Sequence, residues 1–419
     1  MKKNLSLTIL FISLIAWMLP VNAQTNDTAF MGPQYANDIF YSLENGTVKA
    51  EPRNNWELGF YTNTWSAGII INDGTGMKLF TYPKGDTTAW NNVDTIGIKQ
   101  WAFSYNSDTT WEDGAFNRNA LGHPDYGWGI YNAINHDLVG DSIYVLQLAN
   151  GSLKKIWIQR KKSIDNTYIF KYADLDNQNE VSVTLDVRPY ESKLFVYYSI
   201  TNQQVLDREP AKTDWDLLFS KYMGTTVNEG VRERYPVAGA LSNITDTISK
   251  NSPVADDFED WAGSEMNGNR TTIGHEWKDI DMSTYTWIID DSLCYFIKNE
   301  KGDVYKLTFD YFSGSGSGKA GFVKKLLSLS AVNESLVQNS MRVYPNPANQ
   351  LVTILFDDVK AETGFVKVYS LSGSLVIENM TASNTNQMKI DISSLKPGLY
   401  ILEVVQGGKV QRQKLMVQH

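Results

Sequence analysis

The chain has 419 residues and a formal charge of −9, with acidic and basic residues interleaved, so it offers no clustered Lys/Arg surface and nucleic acid is not expected as a partner. Its single cysteine excludes an intrachain disulfide, and about 400 residues suggest two to four domains. Aromatic residues make up 12% of the chain while long helical periodicity is nearly absent, which points to a mainly β protein.

Lys2 and Lys3 precede an apolar run from Leu5 to Pro20, and a small-residue site ends at Ala23. That pattern predicts a secretory signal peptide over 1–23; the run is short for a membrane span. No Cys follows it, so anchoring through an acylated thiol is not expected.

Two stretches of the mature chain repeat. Phe40-Tyr41-Ser42-Leu43, Glu51-Pro52 and Asn55-Trp56-Glu57-Leu58-Gly59-Phe60 recur as Tyr197-Tyr198-Ser199-Ile200, Glu209-Pro210 and Asp214-Trp215-Asp216-Leu217-Leu218-Phe219. Further on, Asp141–Lys154 and Asp291–Lys306 each read as strand, Gly-containing turn, strand. Matching pairs in the same order predict a duplicated, antiparallel β-rich module over 35–190 and 191–327. Alternating runs at Lys154–Gln159, Ser182–Val187 and Asp303–Phe309 are expected strands, and Leu293–Phe296 a buried one with Cys294 as a small core hydrophobe.

Between the repeated ends the modules diverge. Trp101–Trp128 is rich in Trp, Tyr, Asn, Gly and Asp, and Val254–Trp287 is acidic with Trp261, Trp277 and Trp287. Such segments are loop-like, and their aromatics either carry binding groups or cap the core. Gly314–Gly318 reads as a linker turn leading to a Ser/Asn-rich linker over 328–340. The last segment, 341–419, opens on Tyr344-Pro345-Asn346-Pro347 and has strands expected at Leu351–Phe356, Phe365–Leu371, Met388–Ile392, Leu399–Val405 and Lys409–Val417. Short strands at that spacing predict a small immunoglobulin-like β-sandwich.

Tyr344–Pro347, Val368–Gly373, Ile390–Tyr400 and Lys414–Val417 make this tail similar to the type A sorting domain of type IX secretion substrates in Bacteroidetes. The resemblance implies export across the outer membrane, engagement of the type IX machinery and a mature protein outside the cell. Asn55–Phe60, Asp214–Phe219 and Tyr305–Tyr311 make the two modules resemble the HmuY family of haem-binding proteins. That resemblance implies haem as ligand, capture for iron acquisition and an outer-membrane receptor as a partner.

Exchangeable haem suits His or Met as axial ligand. The stretch before each closing hairpin holds His136 and His123 in the first module, and Met282, His275 and Met266 in the second. His136, His123 and Met282 are the candidate ligands. No HxxxH or CxxC spacing suggests zinc. No nucleophile elbow or phosphate loop is present, and four His leave a Ser-His-Asp site hard to populate, so the chain reads as a binding protein and not an enzyme. The alternative is an adhesive module whose loops, through Trp111 or Trp128, stack on glycans or bind another protein; a glycan hydrolase of unrecognised type is a third reading.

Overall fold

Period-two alternation sorts the side chains of each strand between two environments. In Leu153–Lys162, Ile156 and Ile158 enter one apolar core while Trp157 packs against another on the opposite face. The computed structural model describes residues 24–228, 230–329, 341–356, 364–370, 373–381, 387–406 and 409–418; the expected signal peptide and residues 330–340 of the linker lie outside them. The chain divides into two units, Met1–Ser330 and Ala331–His419. Both are built from antiparallel sheets, so the protein is mainly β.

The first half of the large unit supplies β1 (Thr25–Phe30), β2 (Asn37–Ser42), β3 (Gly46–Pro52), β4 (Leu58–Tyr61), β5 (Ile69–Ile71), β6 (Lys78–Thr81), β7 (Tyr144–Gln147), β8 (Leu153–Lys162) and β9 (Thr167–Ala173). The second half supplies β10 (Val181–Asp186), β11 (Phe195–Ser199), β12 (Gln204–Leu206), β13 (Leu217–Asn228), β14 (Val231–Ser242), β15 (Thr247–Asn251), β16 (Cys294–Lys298), β17 (Val304–Phe312) and β18 (Lys319–Ser328). Each strand of the first half has a counterpart nine strands later. The segments between β6 and β7 and between β15 and β16 differ in length and structure.

The sheets do not divide at residue 190. One sandwich joins the sheet β12-β11-β4-β5 to the sheet β10-β9-β8-β7-β6; the other joins β3-β2-β13-β14 to β1-β18-β17-β16-β15. Strands β10–β12 therefore complete the sandwich of β4–β9, and β1–β3 complete that of β13–β18. The registers are equivalent, with Tyr198 opposite Leu58 and Tyr41 opposite Leu217. The Gly-rich run at Gly314–Gly318, expected as a linker, is instead the turn of the β17–β18 hairpin. A Cβ on Gly318, at φ +67°, would sit 2.1 Å from the Gly32 carbonyl, so the close approach requires glycine.

In sheets β12-β11-β4-β5 and β3-β2-β13-β14, strands β2, β4, β5 and β11 bury both faces. Their inner faces fill the two sandwich cores, and their outer faces join in a further cluster that includes Phe40, Tyr61, Ile70, Phe195, Tyr197 and Leu218. This explains the repeated Trp-acid-Leu-x-Phe motif. Each Trp enters the shared cluster and meets a β2 or β11 aromatic edge-on, Trp56 with Tyr197 at 4.7 Å and Trp215 with Phe40 at 5.3 Å between ring centroids. Each acid accepts amide protons from the partner half's turn: Glu57 from Ile200, Asp216 from Leu43. Leu58 and Phe60, like Leu217 and Phe219, enter the sandwich cores. A second matched pair anchors the insertions, as the buried ammonium of Lys155 donates to the Trp90 carbonyl and that of Lys306 to the Asp256 carbonyl. Cys294 packs with Phe296 and Val304 as a small core residue.

The small unit is a sandwich of a three-stranded sheet (Met341–Tyr344, Leu351–Phe356, Gln387–Asp391) and a four-stranded one (Leu375–Thr381, Gly364–Ser370, Gly398–Gln406, Lys409–Val417). Val352, Ile354, Val366, Val368, Leu402 and Leu415 fill its core. The strands Met341–Tyr344 and Leu375–Thr381 were not expected from sequence.

Candidate functional site

Loops at one end of the first sandwich gather an aromatic, imidazole-bearing surface. The insertion between β6 and β7 makes a short hairpin, Gly129–Tyr131 with Leu138–Gly140, whose second strand pairs with β8. Asp137, buried beneath its turn, accepts from Arg160 and from the Ser163 amide, which ties the turn to the β8–β9 connection. His136 closes that turn with φ of 62°, a left-handed conformation that His adopts more readily than most residues. Its Nδ1 lies 2.5 Å from the Tyr131 hydroxyl, and the Ser163 hydroxyl donates to its carbonyl.

His123 comes from the preceding loop. Its ring lies 5.1 Å from that of Tyr131, and the His136 ring lies 6.0 Å from it on centroids, so the two imidazoles stand within about 11 Å of one another. Tyr126 sits 6.2 Å from His123. The structure therefore brings His123 and His136 to one tyrosine. A shallow groove beside them is lined by Trp65, Tyr126, Tyr131, His136 and Lys161. Trp65 is 85% exposed, and Leu121, Ile134 and Ile164 on the adjoining loops are also exposed.

Lys161 holds the Trp65 loop from below. Its ammonium donates to the carbonyls of Asn63 and Thr64 at 3.1 and 3.0 Å, and to that of Ser66. Burial pushes its pKa down to about 7, since desolvation disfavours the charged form. Lys161 is a positioning group for the loop, its donors already directed at backbone oxygens.

The second-half candidates fall elsewhere. Met282 is 67% exposed on the hairpin Lys278–Asp281 with Thr286–Ile289 and contributes nothing to the groove around Tyr131. Met266 packs against the Cys294 cluster, and half-buried His275 lies beside Tyr222, its pKa lowered by burial. Trp111 and Trp128, expected as glycan platforms, are 5% and 0% exposed: Trp111 donates to the Ser242 carbonyl and Trp128 to the Ala67 carbonyl. They cap cores and cannot stack on a ligand from solvent. Trp65 is the exposed indole beside the groove instead, and its local sequence, Asn63-Thr64-Trp65-Ser66, carries no signal of that. The clustering of His123, Tyr126, Tyr131 and His136 within one short stretch was the available clue.

Among known families, the model of a secretion system C-terminal sorting domain matches residues 342–418. The tail is a sorting domain. It directs the protein to the cell surface or the extracellular space through the type IX secretion machinery. No curated protein matches the chain.

Proposed function

We propose that the exported protein is a ligand-binding protein whose site is the loop end of the first sandwich, and that its cargo is haem. The observation that carries this reading is the convergence of His123 and His136 on Tyr131 beside exposed aromatic and aliphatic side chains. A porphyrin needs a flat apolar face and one or two nitrogen ligands for its iron. With its Nδ1–H donating to the Tyr131 oxygen, His136 would keep the Nε2 lone pair for the metal, the arrangement by which a neighbouring hydrogen bond orients a ligating imidazole. The likeness of the repeated strands to the HmuY family supports the same cargo, and delivery outside the cell would place the protein where free haem is met.

Titration of the protein with haemin tests this. A saturable Soret shift is expected, weakened at least tenfold by His136→Ala and His123→Ala and unchanged by Met282→Ala. Absence of a shift sinks the haem reading. One observation favours a second ligand class: the exposed indole of Trp65 beside Tyr126 and Tyr131 is a stacking surface for a sugar ring. Glycan binding abolished by Trp65→Ala, with haemin silent, would establish that alternative.

A further inference from the structure

We propose that the second sandwich binds an organic primary ammonium ion in the cavity under the β2–β3 turn, with the Asp246 carboxyl as its anchor. The site is separate from the Tyr131 groove and does not depend on its reading.

The cavity, about 500 Å³, is bounded by the β2–β3 turn, the segment before β13, the residues before β15 and the β16–β17 turn. That volume suits a small molecule. Asp246 lines it at 2% exposure, and its Oδ2 has no hydrogen-bond partner among the described residues. A buried carboxyl oxygen left in that condition is costly, which makes it a point of attraction for a donor. Asp216, also buried, faces the same cavity.

Comparison with the first sandwich shows that this is not a requirement of the fold. There the counterpart of Asp216 is Glu57, one methylene longer, whose carboxylate takes the Ile200 amide and the Thr201 hydroxyl at 2.7 Å each. The residue just before β6 is Met77, 1% exposed and packed into the core. Just before β15 stands Asp246. One corner is closed by apolar packing and a satisfied carboxylate; the other is an acid-lined cavity.

Charge selects the ligand class. Glu44, Asp214, Asp216, Asp246 and Glu300 face the cavity against Lys212 and Lys301, and Lys301 is already paired with Glu44. Burial, and after it the neighbouring Asp216, raise the Asp246 pKa well above the usual carboxylate range, so a positive charge placed beside this carboxyl would be favoured. A metal ion is disfavoured, because no three His, Cys, Asp or Glu side chains among the described residues gather at metal-holding geometry. An ammonium group needs only acceptor oxygens for its three donors. Trp215 is 2% exposed, so no open indole invites a neutral sugar.

Calorimetric titration of the full mature chain with glucosamine, putrescine and lysine tests the proposal, with N-acetylglucosamine and 1,4-butanediol as uncharged controls. At least one amine should bind saturably and the controls should not. Asp246→Asn should weaken that binding ~10-fold or more, the scale of one charge-assisted hydrogen bond. His136→Ala should leave it unchanged. The proposal is overturned if no amine binds, if the controls bind as well, or if Asp246→Asn keeps wild-type affinity. Should that variant fail to fold, Glu44→Gln at the exposed rim replaces it: a few-fold loss supports the site and an unchanged affinity refutes it.

Discussion

Where a Trp-acid-Leu strand meets the turn of the other half's hairpin, the two sandwiches solve one problem with different side chains. Glu57 reaches the amide of Ile200 and the hydroxyl of Thr201, whereas the shorter Asp216 takes the Leu43 amide and leaves space beyond it. At the opposite extreme, Asn72 and Asn243 are interchangeable. Each donates to the carbonyl of its motif Trp, Asn72 to Trp56 at 3.0 Å and Asn243 to Trp215 at 2.6 Å. The asparagines that satisfy the motif carbonyls thus stay alike between the halves, while the acids that take the turn amides differ in length and in what lies beyond them. Buried backbone groups must be paired in any copy of the fold, and open corners carry no such demand.

The comparison breaks most severely at the contact that has no twin. Arg208, just beyond β12, pairs with Asp38 of β2 at 2.8 Å, both almost fully buried, and stacks between Trp56 and Tyr197. It joins strands of different sandwiches. Arg208→Met should destabilise the large unit by ~3–5 kcal/mol, because it leaves the Asp38 charge buried without its partner. Equilibrium denaturation measures this, and Asp38→Asn added to it should recover part of the loss.

The repeated Glu-Pro pair separates the halves next. Glu209 is buried, accepting from the amides of Leu194 and Phe195 and from the Tyr197 hydroxyl, and burial raises its pKa from 4.5 to about 7. The folded chain therefore holds this proton more tightly than the unfolded chain does. Its contribution is most favourable below pH 4.5 and declines as pH climbs to about 7. Glu209→Gln should remove that part of the pH dependence of unfolding. Glu51, partly exposed and paired with Lys49 at 2.8 Å, should change stability by less than ~1 kcal/mol when made Gln.

Smaller and symmetric effects should sharpen the likeness. Asn72→Ala and Asn243→Ala should each cost ~1–3 kcal/mol, since each strands one buried and one partly buried carbonyl. Unequal losses would show that the two halves do not share this joint. Smallest of all, Glu57→Asp should cost ~1 kcal/mol, from the Thr201 hydroxyl that the shorter side chain cannot reach, and Asp216→Glu should cost no more while narrowing the cavity. Melting temperatures of the pair would rank them.

The sorting sandwich, the β class and the strands of the repeated motif, of the Gly-turn hairpins and of most of the tail were legible in the amino-acid sequence, because side-chain alternation and turn residues are local properties. The repeated motif was legible as well, and so was the run containing His123, Tyr131 and His136. What the sequence could not specify was which strand pairs with which. A period of recurrence says nothing of pairing partners, and only the folded chain shows β1–β3 and β10–β12 completing the sandwich of the other half. Tertiary packing also decided which aromatics face solvent: Trp128 and Trp65 are the same residue type in similarly polar surroundings, yet one is sealed against the Ala67 carbonyl and the other stands 85% exposed. Burial depends on what the rest of the chain places above a side chain, and that is decided by contacts far away in sequence.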